Sequence, residues 1–486
     1  MSEFRVIQRK DRKAEKSYSW MTHLHAVEKE KATFVSADAL SINLLVDLEV
    51  SMKDGVLFEV SMPEYEKFAN GIDIRWFAKV EKVCGYRVLA QYVASKETFW
   101  INFFSNAVHS LANASLNDPE GYQHIYAPPL DVNHEYKNDM VNFIENAIDC
   151  EVKGQIAVAQ QYDVLKSSID TPRVRVGQRL ELLNYTKSTE IRVARVQKTC
   201  GRRINVLVLP EECPEAIEPD DDRQMRVGSS SQYWIDEASF FIFPVGWAAI
   251  NNYTLNATEE YIEHTKKIAE CINSGTTPIY HEDDVTFDQL PKEPVNPEFW
   301  AQVQVGQKFE LIDPLAQQFN NMHVATVVKF CKTDGYLIVG MDGPDLEVDS
   351  FPIHIVNNFM FPVGYAEKNN LELAPPDSYS GKFEWKKYLK KENAKPVPIE
   401  LFKQQASKER LAKFQTGMHL EAADMCENQF ICPATIKSVH GRVINVNFDG
   451  WSSEFDELYD IDSHDILPAG WCELHDYTLQ MPSKSN

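Results

Sequence analysis

The chain runs to 486 residues, 44% hydrophobic and 11% aromatic, more than one core can use and enough for roughly three or four domains of about 100–150 residues. Its 49 Lys and Arg against 72 Asp and Glu leave a formal charge of −23, a field that repels a phosphate backbone and favours a basic protein or peptide, so direct nucleic-acid binding is not expected as the main role. Nine scattered Cys without a C-x-x-C pair or a zinc-spaced Cys/His group, a polar N-terminus, and a longest apolar run (Phe240 to Ile250) too short for a bilayer speak against a disulfide framework, a structural metal, secretion and membrane insertion.

In chain order one grammar occurs four times, which marks a repeat protein. Residues 17–32, which include Trp20, have helical periodicity and charge. Gly55-Val-Leu-Phe-Glu-Val then opens a β-rich core, VEKVCGYRVLAQY (80–92) reads as strand, Gly turn and strand, and VHSLAN (108–113) stands where later units close differently. After APP (127–129), a helical segment at 138–153 precedes the second opening, Gly177-Gln-Arg-Leu-Glu-Leu, the hairpin VQKTCGRRINVLV (196–208) and the close PVGW (244–247). Between hairpin and close lies LPEECPEAIEPDDDRQ (209–224), whose composition predicts a solvated loop. The third unit follows with a helical segment at 258–273, the joint PKEPVNP (291–297), Gly306-Gln-Lys-Phe-Glu-Leu, the hairpin VVKFCKTDGYLIV (327–339) and PVGY (362–365). The fourth has its helical segment at 382–394, with Trp385 in the place Trp20 holds in the first, then Gly417-Met-His-Leu-Glu-Ala, the hairpin IKSVHGRVINVNF (436–448) and PAGW (468–471). Both Trp residues read as anchors between a helical arm and a barrel.

The fourth unit carries the most chemistry. Val443 to Phe448 alternates like a half-buried strand, Asp449-Gly450 supplies a turn, and Trp451 and Phe455 follow, so three aromatics gather near one turn. No Lys or Arg occurs from Asp449 to Asp465, whereas Asp449, Glu454, Asp456, Glu457, Asp460, Asp462 and Asp465 do, and aromatic faces rimmed by carboxylates suit a cation. On alternation alone Phe448 shares a face with Ile444 and Val446 and would be plain core.

LEAADMCENQFICPATI (420–436), FDGW (448–451) and DILPAGWCELHDYTL (465–479) together resemble a malignant brain tumour (MBT) repeat. The resemblance implies a mainly β fold with helical arms: four MBT repeats, each an SH3/Tudor-like barrel with an extended N-terminal arm, at 16–130, 131–257, 258–377 and 378–486. It also implies a methyl-lysine cage. Carried over residue by residue, the fourth unit supplies Asp424, Phe448, Trp451 and Phe455, and Glu427, where the family often has Asn, is a weaker candidate. The first unit has Met62, Tyr92, Ser95 and Phe99 at these places. The second has Asn184 and Val208 before its acidic insertion, and the third has Asp313, Met341, Pro344 and Val348, so all three are expected to be structural.

No G-x-S-x-G, H-E-x-x-H, G-x-G-x-x-G or P-loop is present, and neither catalytic residues nor a cofactor is expected. The resemblance therefore implies a nuclear chromatin reader of methylated histone tails, H3 or H4, acting with repressor proteins of the Polycomb-associated branch in transcriptional repression. The alternative is a protein–protein interaction scaffold whose fourth pocket is vestigial.

Overall fold

The structure, a computed structural model, describes residues 18–21, 24, 33–41, 44, 52–68, 73–109, 124–132, 172–213, 232–315, 319–333 and 335–480. The arm at 138–153 and residues 214–224 of the acidic insertion lie outside the described residues.

Each unit folds into one sheet, antiparallel apart from a short last strand that runs parallel to the long second strand in units one to three, and in each a closing strand returns to pair with the opening one. In the fourth unit the strands are His419–Ala423, Ile431–His440, Val443–Phe448, Glu457–Asp460 and Ile466–Leu467. Four of them run in sequence across the sheet, and Ile466–Leu467 pairs with the free side of His419–Ala423. The second strand of every unit breaks its register once, between Val80 and Lys82, Val196 and Lys198, Val327 and Lys329, and Ile436 and Ser438. A bulge adds local twist, and four of them at one place give each sheet the curl a small barrel needs. The opening glycines Gly55, Gly177, Gly306 and Gly417 all have φ between 86° and 90°, and each donates its N–H back to the long strand. The loosely matched Gly55 is thus the physical equal of the others, and Val108–His109 closes the first sheet where the sequence pattern lapses.

The Glu of each opening motif is a fully buried strand residue: Glu59, Glu181, Glu310 and Glu421. In units two to four its carboxylate accepts two backbone N–H groups of the closing loop, from Gly246 and Ala248, Gly364 and Ala366, and Gly470 and Cys472, at 2.6–2.8 Å. Burying a carboxylate is costly unless hydrogen bonds satisfy it, so this motif ties loop to strand. In the first unit Arg75 and Tyr126 serve Glu59 instead.

The described parts of the first, third and fourth arms dock on a core other than the one they precede. Helix Glu259–Asn273 lies on the second core through Tyr261 and Ile268, and helix Trp385–Lys391 lies on the third, with Trp385 Nε1 donating to Glu310 at 2.6 Å. The first arm crosses to the far end of the chain: Trp20 Nε1 donates to Glu421 at 2.7 Å, and Phe34 bridges to His419.

The hairpin tips lock the units together. Thr333 of the third donates its N–H to Asn251 of the second (2.8 Å), His440 of the fourth meets the Asn369 carbonyl of the third (2.8 Å), and Cys200 of the second donates to the His475 carbonyl of the fourth (3.4 Å). Asn251, Asn369 and His475 each stand four residues after the aromatic of the closing motif. Units two, three and four therefore close into a triangle, and the first joins the fourth, where Tyr86 N–H donates to Ala469 O at 2.8 Å. Among the described residues no helix is long and apolar enough to cross a membrane.

Candidate functional site

Strand register fixes which residues correspond. Phe448 stands opposite Ala434, Tyr92 opposite Ala78, Met341 opposite Ala325, and Val208 follows the Leu207–Arg195 pair. Asp424, Met62, Asn184 and Asp313 occupy the first turn after the opening strand by the same register.

In the fourth unit Phe448 ends its strand as a core residue, packed in the cluster that holds Leu420, Ile444 and Val446. The chain then turns: Trp451 N–H donates to Phe448 O at 2.9 Å, and a 3-10 turn, Ser453–Phe455, brings the next ring back. Trp451 and Phe455 meet edge to face, ring centres 5.4 Å apart and planes at 76°. They remain 45% and 48% exposed, unlike the buried aromatics of the barrels. Two solvated rings held at right angles leave aromatic surface open to water, where a cation can meet it.

Asp424 Oδ1 accepts N–H groups from Cys426 (2.7 Å) and Glu427 (2.9 Å), which orients the carboxylate and leaves Oδ2 with its acceptor capacity. Burial pushes the Asp424 carboxyl above its ordinary range, against the pull of these two donors. Glu427 enters the site through its backbone N–H. Burial, and then the Asp424 charge, raise its carboxyl too.

The acidic surround is less open than the sequence suggests. Asp456 accepts from Lys437 and Asn447 (2.6 Å each), Asp460 pairs with Arg442 (3.1 Å), Asp462 with Lys403 (3.2 Å) and Arg410, and Asp465 with Arg203 (3.6 Å). Glu457, counted among the surface acids in sequence, is buried beneath the Asp424 loop. Its Oε2 accepts Met425 N–H at 3.0 Å and touches the Tyr459 hydroxyl. A strand reading E-L-Y-D alternates in a way that gives no hint of an inward Glu.

Among the described residues the aligned places of the other units are arranged differently. Tyr92 and Phe99 stack at 4.3 Å as buried core, Asn184 spends its amide on Glu190, and Asp313 caps its own turn while Val348 stands exposed with no ring beside it. Two described clusters have metal-ligating residue types: Asp424, Cys426 and Glu457, and His264, His281 and Asp284. In the second the imidazoles stack in parallel at 3.8 Å, Arg179 already bonds both His281 and Asp284, and His264 Nε2 meets Asp284 at 2.6 Å. Met425 and Cys426 also back onto a cavity of about 230 Å³ at the junction of units two, three and four.

The mbt repeat family pattern matches residues 178–262, 307–380 and 418–486. Protein lin-61 of Caenorhabditis elegans is 60% identical over 491 residues, covering 100% of this chain and 80% of that protein. Malignant brain tumor repeat protein 1 of the same organism is 37% identical, covering 96% and 87%. Among solved structures, the four MBT repeats of Drosophila melanogaster Sfmbt in complex with the peptide RHR(me)KVLR superpose with a TM-score of 0.74 at 25% identity, covering 97% of this chain and 100% of that one. Sequence identity across the whole length and a shared four-unit fold leave one conclusion: the chain belongs to the MBT repeat family.

Proposed function

We propose that this protein reads methylated lysine on histone tails through its fourth repeat, with Trp451, Phe455 and Phe448 as the aromatic walls and Asp424 as the carboxylate that meets the ammonium. The reading rests on the half-exposed Trp451–Phe455 pair, where the first unit has the buried Tyr92–Phe99 stack and the third has an exposed Val348. A methylammonium has shed much of its hydration, so ring faces and one carboxylate recognise it better than an open acidic surface does. That Sfmbt repeats of the same fold were solved with a methyl-lysine peptide supports the same ligand class here. A Polycomb protein among the relatives supports a nuclear role in transcriptional repression alongside repressor proteins, and the chain acts by binding rather than by catalysis.

The test is calorimetric titration of the full chain with RHRKVLR peptides carrying methylated or unmodified lysine. Methyl-dependent binding is expected, weakened about tenfold or more in W451A, since a cation–π contact contributes roughly 0.5–2 kcal/mol and the recess loses a wall. Equal binding by a W451A protein that melts like wild type would remove the assignment.

A further inference from the structure

We propose that Glu457 lies under the methyl-lysine pocket as a neutral acid and gives up its proton when a methylated ammonium enters beside Asp424, so that reading the mark releases a proton. This rests on the reading of the fourth repeat given above.

The Tyr459 hydroxyl lies 2.7 Å from the Ala423 carbonyl and in hydrogen-bond contact with Glu457 Oε2. It has one proton to donate, and a carbonyl can only accept. If that proton serves Ala423, the contact with Glu457 needs a second one, which the carboxyl must carry. Oε2 can hold it while still accepting from Met425 N–H.

Polar atoms of Asp424, Cys426 and Glu457 all lie within 4.8 Å of one another. The ionisable groups facing Glu457 are Asp424 and Cys426 on the loop, Cys432 on the long strand, and Tyr459 on its own strand, with Asp465 acting on Tyr459. All are acids. On the third-repeat side the contact is the Phe319 carbonyl, which takes Leu458 N–H and brings no charge. Asp456, Asp460 and Asp465 each have a Lys or Arg, whereas Glu457 has a second carboxyl. Burial first, and the Asp424 charge second, push its carboxyl up to about 8. Two carboxyls this close share one negative charge until a cation offsets the second, and they titrate as a pair.

The step balances simply: the Glu457 O–H bond breaks, the proton leaves to buffer, and the pocket gains a negative charge as the cation arrives. Because deprotonation favours the bound state, affinity rises with pH through neutrality and levels off once the empty pocket is itself doubly ionised.

Calorimetry of the full chain with RHR(me)KVLR at pH 6.5, 7.5 and 8.5, in buffers of different ionisation heat, tests this. Wild type is expected to tighten several-fold over the range, on the order of tenfold if the cation lowers the acid by one unit, and to release a fraction of a proton at pH 7.5. E457Q, whose amide can donate to Tyr459 and accept from Met425, should lose that rise and that release. The histidine of the peptide contributes equally to both proteins and cancels in the comparison. Identical pH profiles in wild type and E457Q overturn the proposal, as does the absence of proton release from wild type, which needs no variant. Methyl-independent binding at every pH, or none, brings down the pocket assignment itself, a result distinguishable from tight but pH-flat methyl-dependent binding.

Discussion

Trp20 ties the first arm to the last repeat, and removing it tests whether the two ends of the chain are locked together. The indole is nearly fully buried, makes edge contacts with Tyr18 and Phe34 at 5.4 and 5.3 Å, and donates to the buried Glu421 carboxylate at 2.7 Å. Trp20→Phe keeps most of the apolar contact and deletes one donor, leaving Glu421 with only Gly470 and Cys472; a hydrogen bond to a charged group is worth about 1.5–3 kcal/mol. Trp20→Ala also empties the site, for which about 3–5 kcal/mol is usual, so ring burial outweighs the hydrogen bond. The deficit depends on pH. Burial holds the Glu421 carboxyl above its ordinary value in the fold, so its protonated form stabilises the folded state and that contribution is lost as pH rises through the folded value. Losing the Trp20 donor raises that folded value further, so both variants should lag wild type more at high pH than at low pH. Thermal melts across pH, with limited proteolysis of the N-terminal arm, read this out. A Trp20→Ala protein that melts and resists protease like wild type at every pH would refute the docking of the first arm on the fourth core.

Asp424→Asn keeps the shape of the carboxylate and removes its charge, so methyl-peptide affinity should fall at least tenfold while the fold persists. Because mono- and dimethyl-lysine keep an N–H for Asp424 and trimethyl-lysine has none, lower states should bind better; a titration in which the trimethyl form is clearly tightest rejects a controlling Asp424 bond. Gly85→Ala places a Cβ 2.5 Å from the Ala469 backbone at a φ of +62°, so it should lower the melting temperature more than Gly275→Ala, whose φ is +70° in open space. Equal effects would show that strain alone, and not the contact between first and fourth repeats, sets the cost. Residues 378–486 expressed alone keep an arm that docks on the third core and lose Trp20, Phe34 and the Phe319 pairing, so the fragment should be poorly soluble; a well-folded fragment binding methyl-peptide as the full chain does would refute that dependence.

The features legible in the sequence were those with a local physical cause. Alternation and a Gly turn mark each hairpin, a left-handed φ requires each opening glycine, and the spacing from Phe448 to Trp451 to Phe455 follows from one turn and one 3-10 bend. What escaped depends on partners far along the chain. Asp456, Asp460, Asp462 and Asp465 are neutralised by Lys437, Arg442, Lys403, Arg410 and Arg203, none of them within the acidic stretch itself. The docking of the first arm on the fourth core cannot be read from either segment alone. One signal was present and unused: a Glu at the same place in all four opening strands, ahead of a loop with free N–H groups, is the mark of a buried carboxylate cap.

The four units keep their docking parts and differ at the recess, and the energetics of the two explain why. Opening glycine and buried Glu hold each sheet together and the hairpin tips hold one unit to another, so changing them costs the assembly. The recess faces water, where Met341, Pro344 or Val348 in place of rings costs the fold little. Among the described residues the fourth repeat touches all three others, and its Asp424 loop is held from outside: Arg203 of the second repeat donates to the Asn428 carbonyl, while Met425 and Cys426 pack with Ile312 and Phe319 of the third. Tyr477, beyond the closing helix, adds a bond to the Gln429 carbonyl at 2.8 Å. The loop that aims Asp424 therefore owes its shape to the triangle, and under the proposed reading the other three repeats contribute to recognition by fixing the geometry of the fourth.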